Sequence, residues 1–277
     1  EHVKDTIRYL VRFRDFLSSF KVYSIYDINK HHIGKYYEHL ENSVKAVSTF
    51  NHNLRALKAL YNFLINEKEY MIANVMKKVK LKYENPNPIS IADDDFKALL
   101  AVIDDSDSLH TYSNGVKKNM YRPYIKDAIE LIAYTGMRLE EALSIKFSDI
   151  VLNKAGQLDY IVGIDLKFER AHNWDKSKAP KKVLIPYSIE LERLLQRLDY
   201  LNKKEKAEYL IVPTEEISRK TLATQLSHSF TFFRRKAGLS DTISIKHLRK
   251  TFLTKFIKPA DHSQLFHLKM IKLILLL

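Results

Sequence analysis

The stretch Asn85-Pro86-Asn87-Pro88 constrains the fold of this 277-residue chain more than any other. Each proline biases the residue before it toward an extended backbone and lacks the N–H that a helix needs, so no helix runs through. The chain therefore divides into residues 1–83, a linker at 84–90 and a larger part at 91–277. Only 6 glycines and 7 prolines are spread over the whole length, so tight turns are few and helix is the default expectation.

Before the linker, apolar residues recur near the 3.6 period. Ile7, Leu10, Val11, Phe13, Phe16 and Leu17 mark one helix. Residues 24–40 mark a second, with Asp27 as its expected N-cap. Leu54, Leu57, Leu60, Tyr61 and Leu64 share one face of a third, and MIANVMKKVK at 71–80 reads as a short fourth. Up to Tyr83 there are 15 Lys and Arg against 8 Asp and Glu. A small basic four-helix bundle fits a DNA-binding unit, and it also fits a plain bundle with a solvated basic face.

After the linker, Ser90 is the expected cap of a helix whose first turn, Asp93-Asp94-Asp95, suits the helix dipole. Residues 124–150 read as a helix, a break at Thr135-Gly136 and a second helix. The period then changes. LDYIVGIDLKF at 158–168 and KKVLIPYS at 181–188 are β-rich and flank a basic loop at 169–182. Helical periodicity returns at 188–201, 221–238 and 247–257. The expected class is mainly α, with one small sheet or hairpin in the second part.

Charge narrows the partners. A formal net charge of +13 on a helical chain of this size points to a polyanion, with nucleic acid first and a merely basic protein as the bland alternative. The sequence has no cysteine, which removes disulfides, thiolate metal sites and cysteine catalysis, and fits a cytoplasmic protein. No secretory signal pattern opens the sequence, and the apolar MIKLILLL at its end is short of the about 20 residues a bilayer span needs. No membrane partner, metal or cofactor is expected.

Two stretches carry chemistry. In YTGMRLEEALSIKFSDI, 134–150, Gly136 ends a helix, Arg138 begins the next, and Glu141 lies three residues on, where it can brace the guanidinium. A braced guanidinium is preorganised for an anion that offers paired oxygens, such as a phosphodiester. In IKHLRKTF, 245–252, Leu248 and Phe252 anchor a helix while Lys246 and Arg249 share another face. Read alone, each stretch is also what an ordinary ion pair or a solvated basic face looks like.

Together they resemble the tyrosine recombinase family, the phage-type and mobile-element integrases. The matching residues are Thr135, Gly136, Arg138, Glu141, Leu143, Ile145 and Asp149, then Lys246, Leu248, Arg249, Thr251 and Phe252. The family also carries a lysine on a hairpin shortly before a V-x-I-P strand; here Lys178 stands eight residues before Pro186, with Lys176 as runner-up. Residues 45–74 are similar to a characteristic helix and turn of its N-terminal SAM-like core-binding domain.

The resemblance implies a two-domain DNA clamp, a four-helix SAM-like bundle followed by a mostly helical catalytic domain. It implies cleavage of double-stranded DNA by a tyrosine phenolate, leaving a 3′-phosphotyrosyl bond, without metal or cofactor. Arg138 and Arg249 would clamp the non-bridging oxygens, with Glu141 bracing Arg138. Lys178 would be the general acid. Lys246 would donate to the phosphate from a place where most members carry His. His247, one residue on, is about 100° round the helix and is left out. Lys45, Thr49, Arg55, Lys58, Lys176, Lys181 and Lys182 are the expected DNA contacts. Family members assemble as tetramers on paired sites.

One part of the pattern is missing. The family's nucleophile follows the second arginine, but the last tyrosine here is Tyr209, upstream of Arg249. His262 and His267 do not fit the turn that precedes that nucleophile. The expectation is therefore an integrase whose catalytic domain lacks its C-terminal end, through truncation, frameshift or degeneracy, and that cannot form the covalent intermediate alone. A non-cleaving module that occupies recombination sites is the alternative, and a type IB topoisomerase-like protein ranks below it. A helix-turn-helix regulator built on residues 218–238 is a further reading.

Overall fold

The computed structural model describes residues 2–84, 89–171, 180–206 and 208–257. The chain forms two compact units, Glu1–Asn87 and Pro88–Leu277.

In the first unit α1 (His2–Ser18), α2 (Lys30–Ser43) and α3 (Val47–Asn66) close over one core. Phe13 and Leu17 meet Tyr36, Leu40, Phe50, Leu54 and Leu57 there. Each such side chain, fully buried, contributes ~1.5–3 kcal/mol. Two expectations need correction. The cap of α2 is Asn29, whose side chain accepts from the His31 and His32 N–H groups, while Asp27 ends a separate 3₁₀ turn, Ile25–Asp27. The expected fourth helix at 71–80 is a run of turns. Asn74 Oδ1 accepts the Met76 N–H at 3.1 Å, and the backbone bonds Lys77 to Asn74 and Val79 to Met76 are three-residue turns. An Asn side chain that competes for the backbone in this way favours turn over helix. Among its described residues the unit thus has three α-helices, with a turn segment pinned by the fully buried Met76.

The second unit is built around α5 (Ile125–Thr135), whose Ile125, Ala128, Ile129, Leu131 and Ile132 are all buried. Also in this unit are α4 (Asp93–Ala101), α6 (Leu139–Leu143), α8 (Ile189–Arg197), α9 (Tyr200–Lys203), α10 (Arg219–Lys236) and α11 (Lys246–Ile257). The cap residue of α4 is Ala92, not Ser90, so the acidic first turn acts without a side-chain cap. An antiparallel sheet has the order β3-β4-β5, with β3 at Ile150–Leu152, β4 at Leu158–Ile164 and β5 at Lys182–Pro186. A second hairpin, β1 (Leu109–Thr111) with β2 (Lys117–Asn119), was not expected; three mostly exposed residues per strand leave no alternation to read. The strand expected to run through residue 168 stops at Ile164, and the next residues form α7 (Leu166–Ala171). Asp165 makes that turn, its Oδ1 accepting the Phe168 N–H at 3.0 Å. No helix among the described residues is long and apolar enough to cross a membrane.

Candidate active site

Arg138 sits at the mouth of the α5–α6 turn, and packing fixes that turn from two sides. Gly136 caps α5 at φ 61°, a left-handed conformation that glycine adopts without strain. A Cβ there would lie 2.8 Å from two ring carbons of Phe252 on α11, and closer still to a third. On the other side Met137 rests its ε-methyl over Gly163 of β4. The Thr135 hydroxyl bonds the Leu131 carbonyl at 2.6 Å inside α5.

The guanidinium is braced as the i,i+3 spacing suggested. Arg138 Nη1 donates to Glu141 Oε1 at 2.6 Å, and the Arg138 backbone N–H donates to Glu141 Oε2 at 3.0 Å. Glu141 is 3% exposed. Arg249, one turn into α11, approaches the same carboxylate, its Nη1 3.9 Å from Glu141 Oε2. Two arginines 111 residues apart in sequence thus share one buried carboxylate. Their side chains stay 41% and 32% exposed, so both retain donors for an anion from solvent. Burial lowers the Arg249 pKa, as does the Arg138 charge beside it, with Glu141 and Asp165 opposing. Arginine remains charged throughout, so the direction reflects first the burial of the Arg249 guanidinium and then the like charge beside it.

Asp165 was missed by sequence reasoning. Its Oδ1 lies 3.4 Å from Arg138 Nη1, and its N–H donates to the Lys181 carbonyl at 2.9 Å, at the root of the β4–β5 hairpin. The only local signal was an N-cap residue before a helix too short to recognise. Arg170 of α7 pairs with Glu140 of α6, a second tie between hairpin and turn.

The aim of α11 has its own supports. Arg234 is 4% exposed and donates to the carbonyls of Asp241 (2.8 Å) and Ile243 (2.7 Å) and to the Asp241 carboxylate, which shapes the connection into α11. His247 is buried and its Nδ1 accepts the Ser244 N–H at 2.9 Å, closing the first turn. Burial lowers the His247 pKa, and Lys246 and Lys250 add to that effect. Thr251 Oγ1 accepts the Ile91 N–H at 2.8 Å, holding the start of the unit against α11.

The remaining expected residues are dispersed. Lys246 opens α11 with its side chain exposed. Lys178 and Lys176 lie outside the described residues. Lys181 stacks on Phe168, its Nζ 4.3 Å from the ring centre, and Lys182 begins β5, exposed. In the first unit Lys45 lies exposed between α2 and α3. On α3, Arg55 and Lys58 face about 60° apart, but Thr49 points about 120° or more from both. Tyr209 is held between cations, the Arg219 Cζ 3.4 Å and the Lys146 Nζ 5.3 Å from its ring centre.

The sequence pattern of the phage integrase family matches residues 90–263, and that of the phage integrase N-terminal SAM-like domain matches residues 7–68. Among curated proteins, tyrosine recombinase XerD of Rickettsia bellii is 30% identical over 151 residues, 54% of this chain and 45% of that protein. Tyrosine recombinase XerS of Lactococcus lactis is 32% identical over 123 residues, 38% of this chain and 34% of that protein. The chain thus spans less than half the length of these relatives. Among solved structures, a lambda integrase (residues 75–356) dimer bound to a COC′ core site is similar at TM-score 0.59 and 18% identity, covering 94% of this chain and 86% of that one. XerH recombinase in a post-cleavage complex with palindromic difH substrate is similar at TM-score 0.61 and 19% identity, covering 91% and 67%. At these identities the structural likeness speaks for the fold.

Proposed function

The chain belongs to the phage integrase family, and on that premise we propose that it is a site-specific recombinase that cradles one DNA backbone phosphate between Arg138 and Arg249. The observation that carries this reading is the convergence of both guanidiniums on Glu141. Attack on a phosphodiester builds negative charge on the non-bridging oxygens. Two preorganised forks facing solvent stabilise that charge more than the ground state. In the proposed step a phenolate oxygen bonds to phosphorus, the bond to the 5′-oxygen breaks, and the leaving oxygen takes a proton from the Lys178 ammonium. Lys246 adds a donor to the phosphate. Lys45, Arg55, Lys58, Lys181 and Lys182 contact neighbouring phosphates, with Thr49 reaching the duplex from another face of α3.

The attacking phenol has no candidate in this sequence downstream of Arg249. Upstream, burial raises the pKa of Tyr124, Tyr134 and Tyr200, which makes each a weaker nucleophile. These residues supply no tyrosine after Arg249, and the second reading is a module that occupies recombination sites without cleaving. Assembly of several copies on DNA, as in the lambda integrase dimer on its core site, is proposed with it.

Duplex binding measured against salt tests the reading. The protein should bind with a steep salt dependence, and Arg138→Ala with Arg249→Ala, which gives up one phosphate, should flatten the slope by about one. A nicked suicide substrate should trap no covalent adduct. A salt-independent association, or an unchanged slope in the double variant, would refute the phosphate cradle; an adduct would refute the missing phenol.

A further inference from the structure

Arg138 divides its guanidinium between two carboxylates that differ in kind. Glu141 is buried and both its oxygens are committed, one to Arg138 Nη1 and the other to the Arg138 backbone N–H. Asp165 is 24% exposed, and its contact with Nη1 is long at 3.4 Å, against the 2.7–2.9 Å of a strong charge-assisted bond. The guanidinium it contacts is itself 41% exposed. The Asp165 charge also acts on Arg249, together with that of Glu141. With Glu141 and Asp165 counted, the two arginines are formally neutralised before any ligand arrives. One of the two acids is fixed in the core; the other reaches in from the hairpin.

We propose that Asp165 is a built-in competitor for the phosphate, an anion that draws on Nη1 of Arg138 in the DNA-free protein and must yield it when a phosphodiester binds. This rests on the phosphate-cradle reading and adds to it a residue that lowers affinity on purpose. The contact is easy to exchange because Asp165 has a second occupation. The same Oδ1 caps α7 through the Phe168 N–H, so the carboxylate keeps a partner after Arg138 turns to the phosphate. Arg170 with Glu140 keeps α7 beside α6 meanwhile. The sign of the effect separates this role from a positioning one. A positioning acid, once neutralised, would loosen Arg138 and weaken binding. A competitor, once neutralised, strengthens it.

The test is a double-mutant cycle on duplex DNA by fluorescence anisotropy at fixed salt, using the full chain. Asp165→Asn keeps an oxygen to cap Phe168 and removes only the charge, and Asp165→Ser serves if Asn unfolds the protein. Binding should tighten roughly 2- to 5-fold, the range of a part-exposed ion pair. The gain should shrink to the part carried through Arg249 when Arg138 is already alanine, because the contacted guanidinium is gone. Asp159→Asn, an exposed acid on β4, should leave the affinity within about 1.5-fold, which excludes a mere change in net charge. Equal or weaker binding by Asp165→Asn, or an undiminished gain in the Arg138→Ala background, overturns the competitor role and leaves the cradle standing. Failure of the wild-type chain to bind duplex at low salt overturns both.

Discussion

Gly136→Ala isolates the joint between the two arginine-bearing stretches. At φ 61° an alanine enters the left-handed region, which costs roughly 1–2 kcal/mol for a residue with a Cβ. The new methyl also meets the Phe252 ring, two of whose carbons would lie at 2.8 Å and one closer. Phe252 is 7% exposed and lies on α11, so it cannot swing aside without moving the helix that bears Arg249. Overpacking of this kind costs roughly 1–3 kcal/mol, so the variant should lose roughly 2–5 kcal/mol in all. That is a large part of the stability of an ordinary domain. Urea unfolding followed by circular dichroism measures it. Phe252→Leu frees space at the joint, so the double variant should be more stable than the two single losses predict, by about 1 kcal/mol or more. Additive losses would show that the cost lies in the backbone alone and that the ring does not gauge the α5–α11 approach. A loss under about 1 kcal/mol would refute both parts of the argument.

Two further outcomes follow from the site. Glu141→Gln keeps the acceptor for the Arg138 N–H and removes the shared charge; it should cost about 1–2 kcal/mol in urea unfolding, with Glu141→Ala costing more because the N–H also loses its partner. The pKa of His247 is depressed in the folded protein, so the unfolded chain binds protons first as pH falls, and stability should drop below about pH 6.5 as the imidazole that accepts from Ser244 becomes a donor. His247→Gln keeps an acceptor that does not titrate, and thermal melts between pH 7.5 and 5 should then show a smaller loss than the parent, on the order of a few degrees.

What was legible in the sequence depended on how far apart the interacting residues lie. Helix α3 is long and strongly periodic, and Leu54, Leu57 and Tyr61 are buried on the face the apolar spacing marked, with Leu60 and Leu64 half-buried beside them. The Arg138–Glu141 brace is an i,i+3 pair and could be written down from the letters. The turn at 71–80 defeated the reading because one Asn side chain outbid a helical pattern only ten residues long. Asp165 and Arg234 were illegible because their meaning lies in partners brought by folding, Arg138 for the one and the backbone before α11 for the other. The two stretches singled out at the start mix letters of two kinds. Arg138, Glu141 and Arg249 hold the charge. Gly136, Thr251 and Phe252 hold the geometry, since Gly136 admits the Phe252 ring and Thr251 ties α11 to Ile91. A chain that kept the charged letters and lost the packing letters would still look like a phosphate cradle in sequence, yet its two arginines would have no reason to meet.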